Sequence, residues 1–214
     1  MIQALAFLTV AGTGATPDAR TMRWFPLTGA AIGIVVGGAW WLAGEAFPPL
    51  LAGAVVVAVD LAVTGLLHVD GLADSADGLL PHLDRDRRLA VMAEPAAGAF
   101  AVAVVAAVLV LRAAALGSRP ADLGLVVGLW CASRSAMALV ALTRPYARPG
   151  GLASSFLGDR AGPAIAVAGI VAGGALATAT DGVAGLAAVV ALVVAAGAVV
   201  ALAHRRLGGF TGDV

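Results

Sequence analysis

The stretch "FPLTGAAIGIVVGGAWWLAGEA", residues 25–46, decides the fold class, because it carries no charged side chain before Glu45. A helix needs about 20 apolar residues to cross the hydrocarbon core of a bilayer. Across all 214 residues, 61% are hydrophobic and 12% are charged, and the mean hydropathy is +0.98. A soluble domain carries about 25% charged residues. The sequence therefore predicts an integral membrane protein that forms one helical domain over residues 1–214.

Other segments repeat this apolar pattern. The candidate transmembrane segments are 25–46, 49–69, 98–117, 121–143, 162–180 and 183–203. We therefore predict an all-α, polytopic membrane protein with about six transmembrane helices. Residues 1–12 are too few to span a bilayer and are expected to be interfacial or re-entrant. A stripe of glycines in the first span favours close helix packing within the chain and leaves a homo-oligomer contact open.

The distribution of arginine predicts the orientation. Two polar loops, about 70–97 and 144–161, lie on the same side of a six-span alternation as both termini. That side carries ten arginines, and the other side carries Arg119 alone. The positive-inside rule places the loops in the cytoplasm, at the cytoplasmic (inner) membrane of a prokaryote. The 13 basic and 13 acidic residues balance, so the net charge gives no indication of a nucleic-acid partner, and none is expected.

An acidic cluster stands out in "HVDGLADSADGLL", residues 68–80. On a helix, Asp70, Asp74 and Asp77 fall within about 60° of one another. Such carboxylates repel unless a cation lies between them, and Mg²⁺ binds through a few carboxylates together with substrate phosphates. We therefore predict these three residues as metal ligands and catalytic groups. The alternative is a solvent-exposed helix end on which the acids only serve solubility. The alternating charges typical of such a surface lie in the following segment, residues 84–88. Asp84 is predicted to cap a further helix there.

Two further polar residues each have two interpretations. His68 lies on a different helical face from Asp70, where it binds substrate, orients a carboxylate or is an ordinary interfacial histidine. Arg134 lies inside an apolar span, where an unpaired charge is costly. It either forms a structural pair with Asp60 or binds substrate.

The 144–161 loop contains the pattern "RPYAR". Arg144 and Arg148 suit a phosphate, and Tyr146 suits stacking on a base, so all three are candidate substrate-binding residues. The alternative is that these arginines only determine the orientation of the protein in the membrane.

Motifs along nearly the whole chain resemble those of the cobalamin synthase family, the adenosylcobinamide-GDP ribazoletransferases. They are "FPLTGAAIG" (25–33), "LLHVDGLADSADGL" (66–79), "RDRRLAVM" (85–92), "ASRSAMAL" (132–139), "RPYARPGGLASSF" (144–156) and "RRLGGFTGD" (205–213). The resemblance implies a membrane transferase in which α-ribazole, or its 5′-phosphate, attacks the cobinamide-side phosphoryl of adenosylcobinamide-GDP. GMP leaves and adenosylcobalamin, or its 5′-phosphate, forms, with Mg²⁺ as the expected cofactor.

The resemblance also implies further site residues and some departures. Glu94 occupies the place of an acid of the family, and Thr211 and Asp213 are expected at the substrate, with Asp213 as a fourth metal or substrate ligand. At residues 94–98 the chain reads "EPAAG", and Val10 stands where an arginine is expected. Relatives are expected to continue beyond "TGD" with a further acidic and apolar segment.

Two alternatives come from other readings of the same residues. The segment 74–78 matches the opening Asp-x-x-Asp-Gly of CDP-alcohol phosphotransferases, although the continuation differs. A small secondary transporter would use Asp60 and Arg134 as a coupling pair, but it would not need the acidic cluster.

Overall fold

The computed structural model describes residues 1–12, 18–148 and 162–214, and in these ranges it is helical with no β-strand. The helices are α1 (Ile2–Leu8), α2 (Phe25–Ala46), α3 (Pro49–Thr64), α4 (Leu67–Leu79), α5 (Arg85–Val91), α6 (Ala99–Gly117), α7 (Leu123–Thr143) and α8 (Ala164–Leu207), with a 3₁₀ turn at Ala19–Trp24. This confirms the all-α prediction. The predicted cap of α5 is also present, because the Asp84 carboxylate accepts a hydrogen bond from the Arg87 N–H at 2.9 Å.

Long apolar helices confirm the membrane character of the chain. Within the described residues, four helices are long and apolar enough to cross a bilayer, or five if α3 and α4 count as one bent span. Apolar side chains on their outer surfaces remain uncovered by protein, and Leu111 in α6, for example, is 68% exposed. Such a surface is suited to lipid contact. The predicted bounds 25–46 coincide with α2, and α6 and α7 begin one or two residues after their predicted starts.

The predicted span 49–69 is wrong, because its helix ends at Thr64. Gly65 and Leu66 both adopt left-handed backbone conformations, with φ of 58° and 63°. The chain therefore bends, and α4 leaves the direction of α3 at 93°. The sixteen residues of α3 extend for only about 24 Å. The acid-bearing helix α4 is thus a separate element that does not continue the span.

The predicted spans 162–180 and 183–203 both lie in α8, which breaks at Gly182 (φ 58°, ψ −134°). The two halves of α8 fold against each other, because a Cβ atom at Gly185 would meet the carbonyl oxygen of Ala177. A straight helix would hold residues eight positions apart at about 12 Å. The predicted number of about six spans is reached only when these halves are counted separately and the short α3 is included.

Glycines allow the central helices to approach closely. A Cβ at Gly33 in α2 would lie 2.7 Å from the Cα of Val127 in α7. On the other face of α7, a Cβ at Gly128 would lie 2.5 Å from the carbonyl oxygen of Gly173 in α8. The glycine stripe of the first span therefore serves packing within the chain, as favoured above. The resulting layer, α2–α7–α8, supports α3, α6 and the polar helices at one end of the bundle.

Candidate active site

The three carboxylates predicted on α4 differ in their surroundings. Asp70 in the first turn is exposed, Asp74 is half-buried, and Asp77 is only 8% exposed. The turn at Gly65 places α4 against α6 and against the end of α8. The helix therefore presents Asp70 and Asp74 at a polar surface, while Asp77 points into protein.

Asp77 caps the N-terminus of α6. Its carboxylate accepts hydrogen bonds from the backbone N–H groups of Gly98, at 2.5 Å, and Ala101, at 2.9 Å. The N-cap residue Gly98 has no side chain to satisfy these donors, and a Cβ there would lie 2.8 Å from Asp77 Oδ1. Both oxygens of Asp77 are thus engaged by backbone groups.

The predicted metal face of three carboxylates is therefore not assembled in this arrangement. Among the described residues, no group of three or more His, Cys, Asp or Glu side chains has a geometry that could hold a metal ion. Asp70 and Asp74 remain as the carboxylates of α4 that face the polar surface. Mg²⁺ commonly takes only one or two protein carboxylates together with substrate phosphates, so the two residues fit the chemistry of that ion.

A third carboxylate, Asp213, reaches this surface from the other end of the chain. The Ser75 hydroxyl donates to the Asp213 carbonyl oxygen at 2.9 Å, across a separation of 138 residues. Gly71 gives the tail room, since a Cβ there would lie 2.9 Å from the same oxygen. Thr211 is buried, and its hydroxyl lies 3.2 Å from Asp213 Oδ2. The structure thus brings Asp213 to α4, with Thr211 beside it, and the roles expected for both residues at the substrate stay predictions.

The tail is held by the segment that follows α7. The Phe210 N–H donates to the Pro145 carbonyl at 3.0 Å, and the Ala147 N–H donates to the Phe210 carbonyl at 2.8 Å. The Tyr146 and Phe210 rings pack edge to face with centroids 5.2 Å apart. Tyr146 therefore contacts the tail that carries Asp213.

The carboxylates interact electrostatically. Burial, followed by the charges of Asp213 and Asp70, raises the pKa of Asp74 to about 6. Burial likewise raises the pKa of Asp213, while the Arg148 guanidinium opposes that rise. Asp74 and Asp213 thus share the nearby Arg148 guanidinium, which also donates to the Leu89 carbonyl at 2.8 Å. We call Asp70, Asp74, Asp213 and Arg148 the acidic site. Its excess of negative charge favours a bound cation.

Other predicted site residues lie apart from the acidic site or outside the described residues. Arg144 follows the end of α7 and is exposed. Glu94 is exposed and forms an ion pair with Arg87 at 3.0 Å. The rest of the predicted loop, residues 149–161, lies outside the described part of the chain.

A second polar cluster lies between the spans. The Asp60 carboxylate accepts from Arg112 at 2.7 Å and from Trp130 Nε1 at 3.0 Å. Among the described contacts, Arg112 and not Arg134 forms the direct ion pair with Asp60, although Asp60 and Arg134 also interact electrostatically. Arg134 is 7% exposed, lies over the Trp130 ring at 5.9 Å, and donates to the Ser133 hydroxyl at 2.8 Å. Its Nε atom and His68 Nε2 are buried without a hydrogen-bond partner among the described residues.

The sequence reasoning missed several arginines that hold the polar end together. Arg88 is buried and donates to the carbonyls of Gly78, at 2.7 Å, and Leu79, at 3.2 Å, at the end of α4. Arg85 donates to the carbonyls of Leu207 and Ala147. An arginine near a helix C-terminus commonly bonds the last carbonyls of that same helix. Arg88 and Arg85 instead bond carbonyls at the ends of other helices, α4 and α8. Arg112 could have been identified from the sequence, because, like Arg134, it is a charged residue within an apolar span.

Together, these features define a multi-pass helical membrane protein with an acidic polar site at one end of its bundle. A family model described as cobalamin-5-phosphate synthase matches residues 1–214. The chain belongs to this family.

Relatives agree with that assignment. The chain is similar to an adenosylcobinamide-GDP ribazoletransferase of Pseudomonas aeruginosa, with 41% identity over 92% of this chain and 82% of the relative. Relatives with the same name include one from Geotalea daltonii, with 36% identity over 91% of this chain and 78% of the relative. Another, from Chlorobaculum parvum, has 33% identity over 100% of this chain and 86% of the relative. No solved structure matches the chain.

Proposed function

We propose that this protein is a membrane enzyme that joins α-ribazole, or its 5′-phosphate, to adenosylcobinamide-GDP. The products are adenosylcobalamin, or its 5′-phosphate, and GMP. The observation that carries the proposal is the convergence of Asp70, Asp74 and Asp213, from distant parts of the chain, beside Arg148. Family membership supplies the reaction, and the acidic site supplies groups suited to a diphosphate substrate with a bound cation.

In the proposed reaction, a ribazole hydroxyl oxygen forms a bond to the cobinamide-side phosphorus. The bond from that phosphorus to the oxygen of the GMP phosphate breaks, and GMP keeps the electron pair. Phosphoryl transfer of this kind depends mostly on positioning and on stabilisation of charge. Arg148 would pair with a phosphate oxygen, and its hydrogen bond to the Leu89 carbonyl supports this role by holding the guanidinium. The hydroxyl proton passes to a carboxylate of the acidic site that is free to accept it.

Mg²⁺ would be held by one or two carboxylates of the acidic site, from among Asp70, Asp74 and Asp213, together with the diphosphate. Their oxygens fit its preference for hard ligands. When bound, the ion neutralises the diphosphate and stabilises the departing phosphate. The electrostatic coupling of these residues supports this assignment, because a cation would relieve the repulsion by Asp213 and Asp70 that adds to burial, the larger cause, in raising the pKa of Asp74.

The acidic site would face the cytoplasm of a prokaryotic cell, at its cytoplasmic membrane. The arginine-rich side of the sequence supports this orientation under the positive-inside rule. Arg85 and Arg206 lie at the same end of the bundle, since they donate to the carbonyls of Leu207 and Pro81. A cytoplasmic site would meet nucleotide-linked substrates directly.

The test uses purified protein in nanodiscs with adenosylcobinamide-GDP, α-ribazole and Mg²⁺. GMP and adenosylcobalamin are measured together, and they should appear in equal amounts. Asp74→Asn and addition of EDTA should each remove most of the activity. Asp86→Asn is the matched control, because Asp86 is an exposed carboxylate on α5. Absence of both products from the wild-type protein, or full activity in EDTA, would contradict the proposed reaction or its metal dependence, respectively.

A further inference from the structure

The bend between α3 and α4 needs support from elsewhere in the chain. Gly65 and Leu66 both have left-handed backbone conformations, and such a conformation is costly for a leucine. The Leu66 side chain is 54% exposed, so its burial does little to offset that cost. A residue in a rare backbone conformation persists only where the surrounding structure holds it. Contacts made by the bend therefore deserve a functional explanation.

Val10, in the segment that follows α1, contacts the bend through its backbone and its side chain. Its N–H donates to the Val63 carbonyl at 2.9 Å, and Val63 carries one of the last four carbonyls of α3, which have no partner within the helix. The Val10 side chain lies over Gly65, because a Cβ there would be 2.9 Å from Val10 Cγ1. Apart from the chain neighbours of Gly65, no other described residue comes within 4 Å of that position.

Helix α1 ties Val10 to the central layer of helices. The Thr9 N–H donates to the Leu5 carbonyl at 2.9 Å, at the end of α1. Leu8 is fully buried, and the Phe7 ring stacks on the Phe25 ring at the start of α2, with centroids 6.2 Å apart. The bend is thus connected through Val10 and α1 to α2.

The position of the bend determines where α4 begins. The Leu66 carbonyl accepts the first hydrogen bonds of α4, from Val69 at 2.9 Å and Asp70 at 3.0 Å. Asp74 lies one helical turn after Asp70 on the same face. A rotation at the bend would therefore displace both carboxylates relative to Asp213, which the tail holds separately. A misplacement of about 1 Å in an active site can cost about 100-fold in rate.

We propose that Val10 is a positioning residue, which holds the bend at Gly65 and thereby orients Asp70 and Asp74 in the acidic site. The proposal rests on the ribazoletransferase activity proposed above. In this arrangement α1 and the residues that follow it form part of the scaffold of the acidic site.

The first experiment removes the hydrogen bond from Val10 to Val63. Val10→Pro lacks the N–H, and Thr9 already has the extended conformation that a residue before proline requires (φ −142°, ψ 165°). Amide hydrogen exchange in nanodiscs, without substrate, should become at least about five-fold faster at Val69 and Asp70. Val10→Thr is the matched control, because it keeps the N–H and a branched side chain, and its exchange should match that of the wild type. Unchanged exchange in Val10→Pro would overturn the inference, whether or not the protein shows transferase activity.

The second experiment tests the contact between Val10 and Gly65 through catalysis. Gly65→Ala adds a Cβ that meets Val10 Cγ1, and Val10→Ala removes Cγ1 while keeping the N–H. Per folded molecule, Gly65→Ala should lower kcat at least about ten-fold while changing both substrate KM values less than about two-fold. The double variant should recover most of this kcat. The left-handed alanine is costly in both variants, so that cost does not explain a recovery.

The outcomes separate this inference from the proposed function. A double variant as slow as Gly65→Ala, or a wild-type kcat in Val10→Pro despite faster exchange, would overturn the positioning role while the active wild type upholds the transferase. If the wild-type protein forms no product, the proposed function fails, and with it the catalytic part of the inference. Hydrogen exchange then still decides whether Val10 holds α4.

Discussion

Asp77→Ala is expected to destabilise the protein without removing a group that touches substrate. The Asp77 carboxylate receives two backbone N–H groups of α6, at 2.5 and 2.9 Å, in a largely buried position. A hydrogen bond to a charged group contributes about 1.5–3 kcal/mol, and loss of a helix cap costs about 0.5–2 kcal/mol. Because these two contributions overlap, we expect a loss of about 3 kcal/mol for Asp77→Ala and about 1 kcal/mol for Asp77→Asn, which keeps an acceptor oxygen.

Thermal unfolding in one detergent, followed by circular dichroism, measures this effect. For a chain of this size, 1 kcal/mol corresponds to about 2–4 °C, so Asp77→Ala should lower the Tm by about 6–12 °C. The transferase rate per folded molecule of Asp77→Asn should stay near that of the wild type. Asp74→Asn is the contrasting variant, because it should lose the rate without losing Tm. If Asp77→Asn kept the wild-type Tm but lost the rate and the response to Mg²⁺, the capping role would be refuted.

Three other outcomes are expected. The folded-state pKa of Asp74 is raised from 3.8 to about 6, so stability is lost as the pH rises from about 4 to about 6 and the folded state keeps the proton that the unfolded chain releases. The Tm of the wild type relative to Asp74→Asn should therefore be higher at pH 4 than at pH 7, and parallel pH curves would contradict this. Gly33→Ala should destabilise the protein by about 1–3 kcal/mol, because its Cβ meets the backbone of α7, whereas Gly38→Ala, with open space around it, should be neutral or stabilising in the same melts. Arg112→Leu should cost at least about 2 kcal/mol, because it removes the ion-pair partner of the buried Asp60 carboxylate and leaves it only the Trp130 hydrogen bond. An unchanged Tm would show that the ion pair contributes nothing to stability.

Composition and periodicity predicted the helical membrane fold well, because the bilayer requires long apolar runs. The bounds of α2 follow directly from such a run. The end of α3 at Thr64 could not be predicted in the same way, since residues 65–69 remain mostly apolar. The bend there depends on left-handed conformations at Gly65 and Leu66, and leucine rarely adopts one. Hydropathy therefore carried no signal for the position of α4.

The candidate site was predicted in part, for a related reason. Helical spacing placed Asp70, Asp74 and Asp77 on one face, but it gave no information about what each carboxylate would meet. Asp77 meets the start of another helix, α6, whose N-cap is a glycine. Likewise, the sequence offered only Arg134 as a partner for Asp60, and packing of α3 against α6 brings Arg112 to it instead. Contacts between distant segments determine these roles, and local patterns do not encode them.

The attachment of the C-terminal tail to α4 has a consequence for biosynthesis. Ser75 and Asp213 are separated by 138 residues along the chain, so the ribosome must translate every transmembrane helix described above before this contact can form. During translation, Asp70 and Asp74 emerge without their third carboxylate. The nascent chain therefore lacks the complete acidic site until both halves of α8 and the residues up to Asp213 have been synthesised.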